Sequence, residues 1–444
     1  MASEQVTIES LAYGGDAVAH LADGRAVFVT GAAPGDVVLV NIKQSKERFA
    51  KGVIEELLEP SVHRVNAPCD EACTGRCGGC PWAHVAYEQQ LFYKRQAVVD
   101  ALSRSAKIDG AAELVAPCIA STKQWHYRNK LEFVTGQDVG GRFTLGMHAA
   151  GGAFDPLSSC LLGTKQYAKL PKAMTGALRF LQRGEDLGIE RVGARVSTRT
   201  GDVELAIWTR TGRFPRAQAA KILSDAVPTK RPAITRVLLK DDTKTKARKV
   251  SGTENLAGKG HWTEEIGGRT MILSAPSFFQ VNTPGAETLV KLVIEGLQPE
   301  ADDVALDLYS GAGTFTLPLA AAAGDVVAVE SAGSSIRDLR RNLERNNLFA
   351  DVIGGDVGRE LPDLGYADIA VVDPPRAGLA PQALDALLDC GARRIAYVSC
   401  DPQTLARDLK AVVADGRYII KSVQPVDLFP QTYHVETVTI LEKR

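Results

Sequence analysis

The stretch ALDLYSGAGTFTLPLA (residues 305–320) decides the fold of the C-terminal part of this chain. An apolar run, Val304 to Leu308, ends in Gly311-Ala312-Gly313 and passes at once into a helical pattern. Strand, glycine turn, then helix lets bare backbone approach a ligand beside a helix N-terminus. Downstream, apolar runs alternate with helical segments: VVAVES (326–331), DVIGGD (351–356), ADIAVVDPPR (367–376) and RIAYVSC (394–400). Strict alternation predicts a parallel, doubly wound α/β sheet of Rossmann-like type. The last two runs, YIIKSVQPVDLFP (418–430) and HVETVTILEKR (434–444), stand too close together for a crossover helix, so an antiparallel hairpin is expected at the sheet edge.

Upstream, the pattern changes twice. Residues 111–268 mix strand-like runs (LEFVTG, RFTLGMH, VELAIWTR, ITRVLLK) with helical stretches near Leu170–Gln182 and Pro215–Ala226, which predicts an α+β domain with an antiparallel sheet. Between Pro60 and Trp82 periodicity gives way to cysteines, and a helix is expected from Tyr87 to Ser103. Residues 5–57 read as about five short strands separated by turns, the pattern of a small OB-like β-barrel. The expected division is 1–60 (barrel), 61–270 (central) and 271–444 (catalytic), with residues 91–120 packing against the catalytic part.

The chain has 444 residues, 45% hydrophobic and 24% charged, which excludes disorder and suits a multidomain globular protein. The opening MASEQVTIES has no basic or apolar leader, and no uncharged apolar run reaches about 18 residues, so a cytoplasmic protein that neither crosses nor needs a membrane is expected. Eight cysteines in such a compartment point to metal or chemistry rather than disulfides, and four fall between Cys69 and Cys80. The formal net charge of −1 conceals an uneven distribution: −4 over residues 1–60, +12 over 61–270 and −9 over 271–444. The middle segment holds the basic clusters TRTGRFPR (209–216), TKRP (229–232) and KTKARK (244–249), with Trp125, Tyr127 and Phe133 beside Arg128 and Lys130, and is the expected RNA face.

In the α/β part, Glu330 ends the strand that follows the glycine turn, about 20 residues on, where an acidic side chain meets ribose hydroxyls. Asp356 ends the next strand, where a carboxylate meets an adenine amino group. With Asp307, Gly311 and Gly313 these form a cofactor site, and the missing pyrophosphate fingerprint favours S-adenosylmethionine over a dinucleotide. Asp373, in DPPR, and Cys400, in SCDP, both stand at carboxyl ends of strands facing the same crevice. A helix N-terminus beside Cys400 is expected to draw its thiol toward the thiolate. Pyrimidine C5 is not nucleophilic until a group adds at C6, which a thiolate does, and a base must then remove the C5 proton. Glu436, a carboxylate in an otherwise apolar strand, is the candidate base. Cys390, in LDALLDC, reads as an ordinary helix residue.

Together SFFQVN (277–282), DLYSGAGTFTLPLA, DPPRAG, VSCDPQTLARD and HVETV resemble the RNA uracil-5-methyltransferases, and the N-terminal barrel resembles a TRAM domain. The resemblance implies Cys400 as nucleophile, Glu436 as proton-abstracting base, and Gln280, Tyr309, Glu330, Asp356 and Asp373 around S-adenosylmethionine, with Asp373 and Gln280 also near the target uracil. In TRAM-containing members a C-x5-C-x2-C knuckle and a distant cysteine hold a 4Fe-4S cluster. Here PCDEACTGRCGGCPW (68–82) departs from that spacing. Cys77 and Cys80 match its end, the first ligand is Cys69 or Cys73, with Cys69 preferred for its place after a proline, and Cys160 in SSCLLG is the fourth. Zinc is the rival metal for four thiolates. The resemblance further implies a monomer acting on ribosomal RNA, with transfer RNA second. A non-catalytic RNA-binding factor is the third reading. An amino-group methyltransferase would share the Asp-Pro-Pro motif but needs no thiol.

Overall fold

The computed structural model describes residues 3–73, 76–149, 152–230, 232–241 and 248–444, with the side chain of Cys73 left out. Its C-terminal sheet has seven strands in the order Asp351–Gly354, Asp325–Glu330, Val304–Leu308, Ile369–Val372, Arg394–Ser399, Glu436–Lys443, Tyr418–Val426. The first five run parallel; Glu436–Lys443 enters antiparallel beside Arg394–Ser399, with Tyr418–Val426 at the edge. Ile369–Val372 is buried along its whole length. Alternate residues of the central strands face different helices: Leu306, Ala370 and Val372 pack toward Pro381–Asp389 and Pro402–Asp415, and Ala305, Ile369 and Val371 toward Thr283–Leu297. Cover on both faces is why these strands read as unbroken apolar runs. The strand order reverses between Val304–Leu308 and Ile369–Val372, the switch point at which such sheets bind ligands.

Two further pieces complete this unit. The hairpin Trp262–Ile266/Arg269–Leu273 is tied to helix Gly333–Arg345: the Ile272 N–H donates to Asn342 Oδ1 (2.6 Å) and the Ser274 N–H to Asp338 Oδ2 (2.7 Å). The helix Tyr87–Asp100 stops three residues short of the expected end and continues as a π-helix, Ala101–Ala106, whose Leu102 and Ala106 share a core with Leu405 and Leu409. Residues 115 and 119 bridge to Val423 and Val426 and so shield the exposed edge strand.

The central sheet runs Arg248–Ala257, Ala233–Asp241, Val203–Arg210, Ile189–Val196, Lys130–Gln137, Phe143–His148, Phe154–Pro156. It is not wholly antiparallel as the sequence predicts: Val203–Arg210 and Ala233–Asp241 pair in parallel. The helix between them, Arg216–Asp225, is the crossover that a parallel pair requires. The N-terminal sheet has six strands, Ser3–Thr7, Val37–Ser45, Phe49–Glu59, Ala26–Thr30, Ala17–His20, Ser10–Leu11. Among the described residues no helix is long and apolar enough to cross a membrane.

Candidate functional site: a glycine-turn crevice and a nearby thiol

The glycine turn sits at the switch point. Gly311 has φ +57° and open space where a Cβ would point, so a ligand can lie against its backbone. Gly313 serves packing instead: at φ +102° its Cβ would stand 2.5 Å from Leu317 and 2.7 Å from Leu339. Tyr309, between strand and turn, is held at φ +64°, a conformation that costs a non-glycine residue about 1–2 kcal/mol and concentrates at functional sites. Glu330 braces the turn, accepting from the Gly311 N–H (2.9 Å) and the Ala332 N–H (2.6 Å), and its oxygens retain lone pairs for hydroxyl donors. Asp356 is exposed at the end of Asp351–Gly354 and makes no capping bond.

Asp307 lies beneath the turn. Its Oδ2 accepts from the Thr316 hydroxyl, while Oδ1 is buried without a hydrogen-bond partner among the described residues. Burial, partly offset by that bond and reinforced by Glu330, pushes its carboxyl up to about 7. An orphaned buried acceptor beside an open glycine backbone is a place prepared for a cationic or hydrogen-bond-donating group. The loop carrying Gln280 is held at three points. The Asn129 side chain donates to the Gln280 carbonyl (2.9 Å), the Ser277 hydroxyl to Asp338 (2.6 Å), and Asn282 caps helix Thr283–Leu297. Gln280 is buried, whereas Phe278, two residues earlier, is exposed.

Cys400 follows strand Arg394–Ser399, and Asp401 caps the next helix by accepting from the Gln403 N–H (2.8 Å) and the Thr404 N–H (3.2 Å). Contrary to expectation the thiol is not drawn down. Burial, followed by the Glu436 carboxylate, pushes it up to about 11, with Asp373 and Asp401 adding and Arg376 opposing. The helix N-terminus is outweighed because Asp401 has already occupied its N–H groups and brought a negative charge with it. Glu436, 4% exposed, starts its strand beside Thr437 and Val426, and burial, then the Asp373 charge, raise its carboxyl to about 8. Asp373 is half-buried and raised to about 7 by desolvation and Asp307. Cys400, Asp373 and Glu436 therefore interact at one place, and the Arg376 charge acts on both Cys400 and Glu436.

The loop ahead of Glu436 is anchored by a buried ion pair, Lys94 Nζ to Asp427 Oδ1 at 2.5 Å, to which the Tyr87 hydroxyl also donates (2.7 Å). His434, in that loop, is held near 4 by burial and by Arg376, so its ring is neutral, and its Nδ1 is buried without a partner among the described residues.

Cys69, Cys77, Cys80 and Cys160 line one cavity of about 240 Å³, together with Arg128 and with Thr432, Tyr433 and His434. Sulfur acceptors are already served there: the Gly79 N–H donates to Cys77 Sγ at 3.4 Å, and the Leu162 and Gly163 N–H groups point at Cys160. Among the described residues no three His, Cys, Asp or Glu side chains converge closely enough to hold a single ion. Cys118 lies apart near Asp427, and Cys390 is buried in the helix packing of the catalytic core.

The expected RNA face needs correcting. Tyr127 and Phe133 are core residues, Arg128 turns toward the cysteine cavity, and Lys130 pairs with Glu132 (3.0 Å). Arg210 and Arg216 are matched by Asp186 and Glu254, and Arg248 by Glu190 and Asp241. Arg231 and residues 244–247 lie outside the described residues. Lys123 and Lys165, which have no ion pair among the described residues, instead border a crevice of about 590 Å³ with half-buried Trp125. Sequence reasoning passed over them because they belong to no run of charge. Arg376 and His434 were quoted only within motifs; their roles depend on what folds against them.

The tRNA (uracil-5-)-methyltransferase family model matches residues 261–353 and 358–444, and the TRAM domain model matches 3–54. An uncharacterized RNA methyltransferase of Gloeobacter violaceus is 38% identical over 99% of this chain and 96% of its own length. Another from Halalkalibacterium halodurans is 34% identical over 99% and 96%. The crystal structure of Pyrococcus abyssi tRNA (uracil-54, C5)-methyltransferase with S-adenosyl-L-homocysteine has the same fold, with a TM-score of 0.75 at 24% identity, covering 98% of this chain and 100% of that one. The chain thus belongs to the RNA (uracil-5-)-methyltransferase family and carries a TRAM domain at its N-terminus.

Proposed function

We propose that the protein methylates C5 of a uracil in RNA through a covalent Cys400 adduct. The observation that carries this reading is the coupling of one thiol, two acids and one guanidinium beside the glycine-turn crevice. S-adenosylmethionine, when bound, would supply the methyl group; Gln280, Tyr309, Gly311, Glu330, Asp356 and Asp373 would hold it, Gly313 shapes the turn, and the Asp307 oxygen that has no partner among the described residues would be available to it. The Cys400 thiolate adds to C6 of the uracil, and C5 becomes nucleophilic and takes the methyl group, whose bond to the sulfonium sulfur breaks to leave S-adenosyl-L-homocysteine. Glu436 then takes the C5 proton, and the C6–S bond breaks to leave 5-methyluracil in the RNA and return the Cys400 thiolate. Asp373 helps to orient the base, and Arg376, whose charge favours the thiolate, offsets the enolate that forms on addition. The target must leave its stack to reach Cys400, so a loop or remodelled helix is the substrate.

Ribosomal RNA is the proposed target, because a TRAM barrel is joined here to a four-cysteine site. Transfer RNA is the second reading, favoured by the substrate named for the Pyrococcus abyssi neighbour. Lys123 and Lys165, which have no ion pair among the described residues, offer with Trp125 phosphate and stacking contacts along one crevice. Cells lacking the gene are expected to lose one 5-methyluridine from large-subunit ribosomal RNA, by mass-spectrometric mapping; loss from transfer RNA alone selects the second reading, and loss from neither rejects both.

We further propose that Cys69, Cys77, Cys80 and Cys160 hold a 4Fe-4S cluster. The residues fit in kind: four thiols line one cavity, and backbone N–H groups donate to two of the sulfurs, a donor set that suits a cluster. Methyl transfer needs no electron, so the cluster's part is to hold the knuckle against Thr432–His434. Anaerobically purified protein is expected to be brown with about four iron atoms per chain, and Cys80→Ser to lose both; stoichiometric zinc instead would reject the cluster.

A further inference from the structure

A loop of the N-terminal barrel reaches the reactive site. In residues 12–16 the Ala12 N–H donates to the Asp16 carbonyl (2.9 Å) and the Gly15 N–H to Ala12 (3.2 Å), a tight turn that presents Tyr13 outward. The Tyr13 ring packs not into the barrel but against the core of the catalytic unit. Its hydroxyl is shared between the Cys400 carbonyl (3.4 Å) and Asp401 Oδ2 (3.3 Å). In the opposite direction Tyr433, three residues before Glu436, packs against the barrel core. The two rings meet edge to face at 5.5 Å, and Tyr433 meets Trp82 at 6.5 Å. The Trp82 indole N–H donates back to the Gly15 carbonyl (3.1 Å), which closes the circuit. Gly15 has φ +103°, and a Cβ there would stand 3.1 Å from the Tyr433 ring, so the approach requires glycine.

We propose that Tyr13 is a positioning residue for the nucleophile, and that the barrel thereby completes the reactive site as well as binding RNA. The inference rests on Cys400 being the nucleophile. Cys400 and Asp401 form the short link between strand Arg394–Ser399 and helix Pro402–Asp415. Asp401 fixes the helical side, and the Tyr13 hydroxyl is the contact from outside the catalytic unit that restrains the Cys400 carbonyl. The Asp401 N–H of the same peptide is held by Ser399 Oγ (3.2 Å), so loss of the Tyr13 contact loosens the carbonyl side of that peptide, and the thiol is less well aimed at C6 without any loss of RNA contact elsewhere. A small displacement of a reacting atom suffices to slow a reaction severalfold or more.

The test uses the full-length protein with S-adenosylmethionine and transcribed ribosomal RNA in which 5-fluorouridine replaces uridine, so that the adduct, once methylated at C5, has no proton there to lose and persists. Tyr13→Phe, which keeps the ring and removes the hydroxyl, is expected to slow single-turnover adduct formation about fivefold, the worth of one hydrogen bond. The dissociation constant for the same RNA should stay within about twofold, and the melting temperature should be unchanged. Gly15→Ala, which moves Tyr433 and the turn, should give the same split between rate and affinity. An unchanged adduct rate in Tyr13→Phe overturns the inference, as does a loss of affinity that accounts for the whole loss of rate. Absence of any Cys400 adduct in the unmodified protein overturns the nucleophile reading itself.

Discussion

Cys400→Ala is expected to abolish methyl transfer, by at least about 10⁴-fold, while leaving RNA affinity and fold intact. The loss is near-total because the thiol does not merely assist. Uracil C5 carries no usable nucleophilicity until a group adds at C6, so removing that group removes the route and not one stabilising contact within it. The fold survives because Cys400 is half-exposed in a loop, and the cap that holds the following helix belongs to Asp401. Truncating one sulfur at such a position costs less than about 1 kcal/mol. The measurement is incorporation of labelled methyl from S-adenosylmethionine into unmodified RNA, beside RNA affinity and thermal unfolding. Residual methylation above about one part in a hundred would remove the covalent mechanism and return the amino-group methyltransferase to consideration. A wild-type protein that methylates no RNA would favour the RNA-binding factor.

The α/β sheet was legible because its strands are buried on both faces and read as apolar runs, and because the glycine turn and the strand-end acids stand at fixed offsets from them. The same logic puts Cys400 and Asp373 at one edge, since each follows the carboxyl end of a strand, whereas Glu436, read as lying within an apolar strand, begins one. What periodicity does not encode is the partner that a side chain meets across the chain. Tyr127 and Phe133 looked like a stacking surface because they are aromatic and next to cations, yet they alternate inward as core. The basic runs of the central segment looked free, but acids distant in sequence match Arg210, Arg216 and Arg248. Tyr13 gave no signal at all, being separated from Cys400 by 387 residues. The thiol itself was misjudged for a related reason: a helix N-terminus is visible in sequence, but the desolvation and the three carboxylates that override it come from the fold.

Glu436→Gln is expected to separate the two halves of the reaction. Addition of Cys400 and methyl transfer need no base at C5, so they proceed, but elimination stalls and the methylated RNA remains bound covalently to the enzyme. Turnover should fall by about 10³-fold, with a protein–RNA band on denaturing gels that forms with ordinary uridine and carries labelled methyl. A variant that is slow but accumulates no such band places the base elsewhere. The same substitution reads the electrostatics of the site. Glu436 is raised from 4.5 to about 8 in the folded chain, so between those values the folded state holds a proton that the unfolded state has lost. Its contribution to stability is complete below about 4.5 and is lost as the pH rises through about 8. Glutamine, which never ionises, escapes that loss. The variant should therefore gain stability over the wild type on going from pH 5 to pH 9, by a few kcal/mol at most, since the value is shared with Asp373. Catalysis runs the other way, because the base works as a carboxylate and the nucleophile as a thiolate: the wild-type rate should climb with pH through about 8. The reactive site is thus least stable where it is most active, as expected where burial, and not a counter-charge, sets the strength of the base. Equal stability differences at pH 5 and pH 9 would mean that Glu436 is not held in its apolar strand as a reluctant acid.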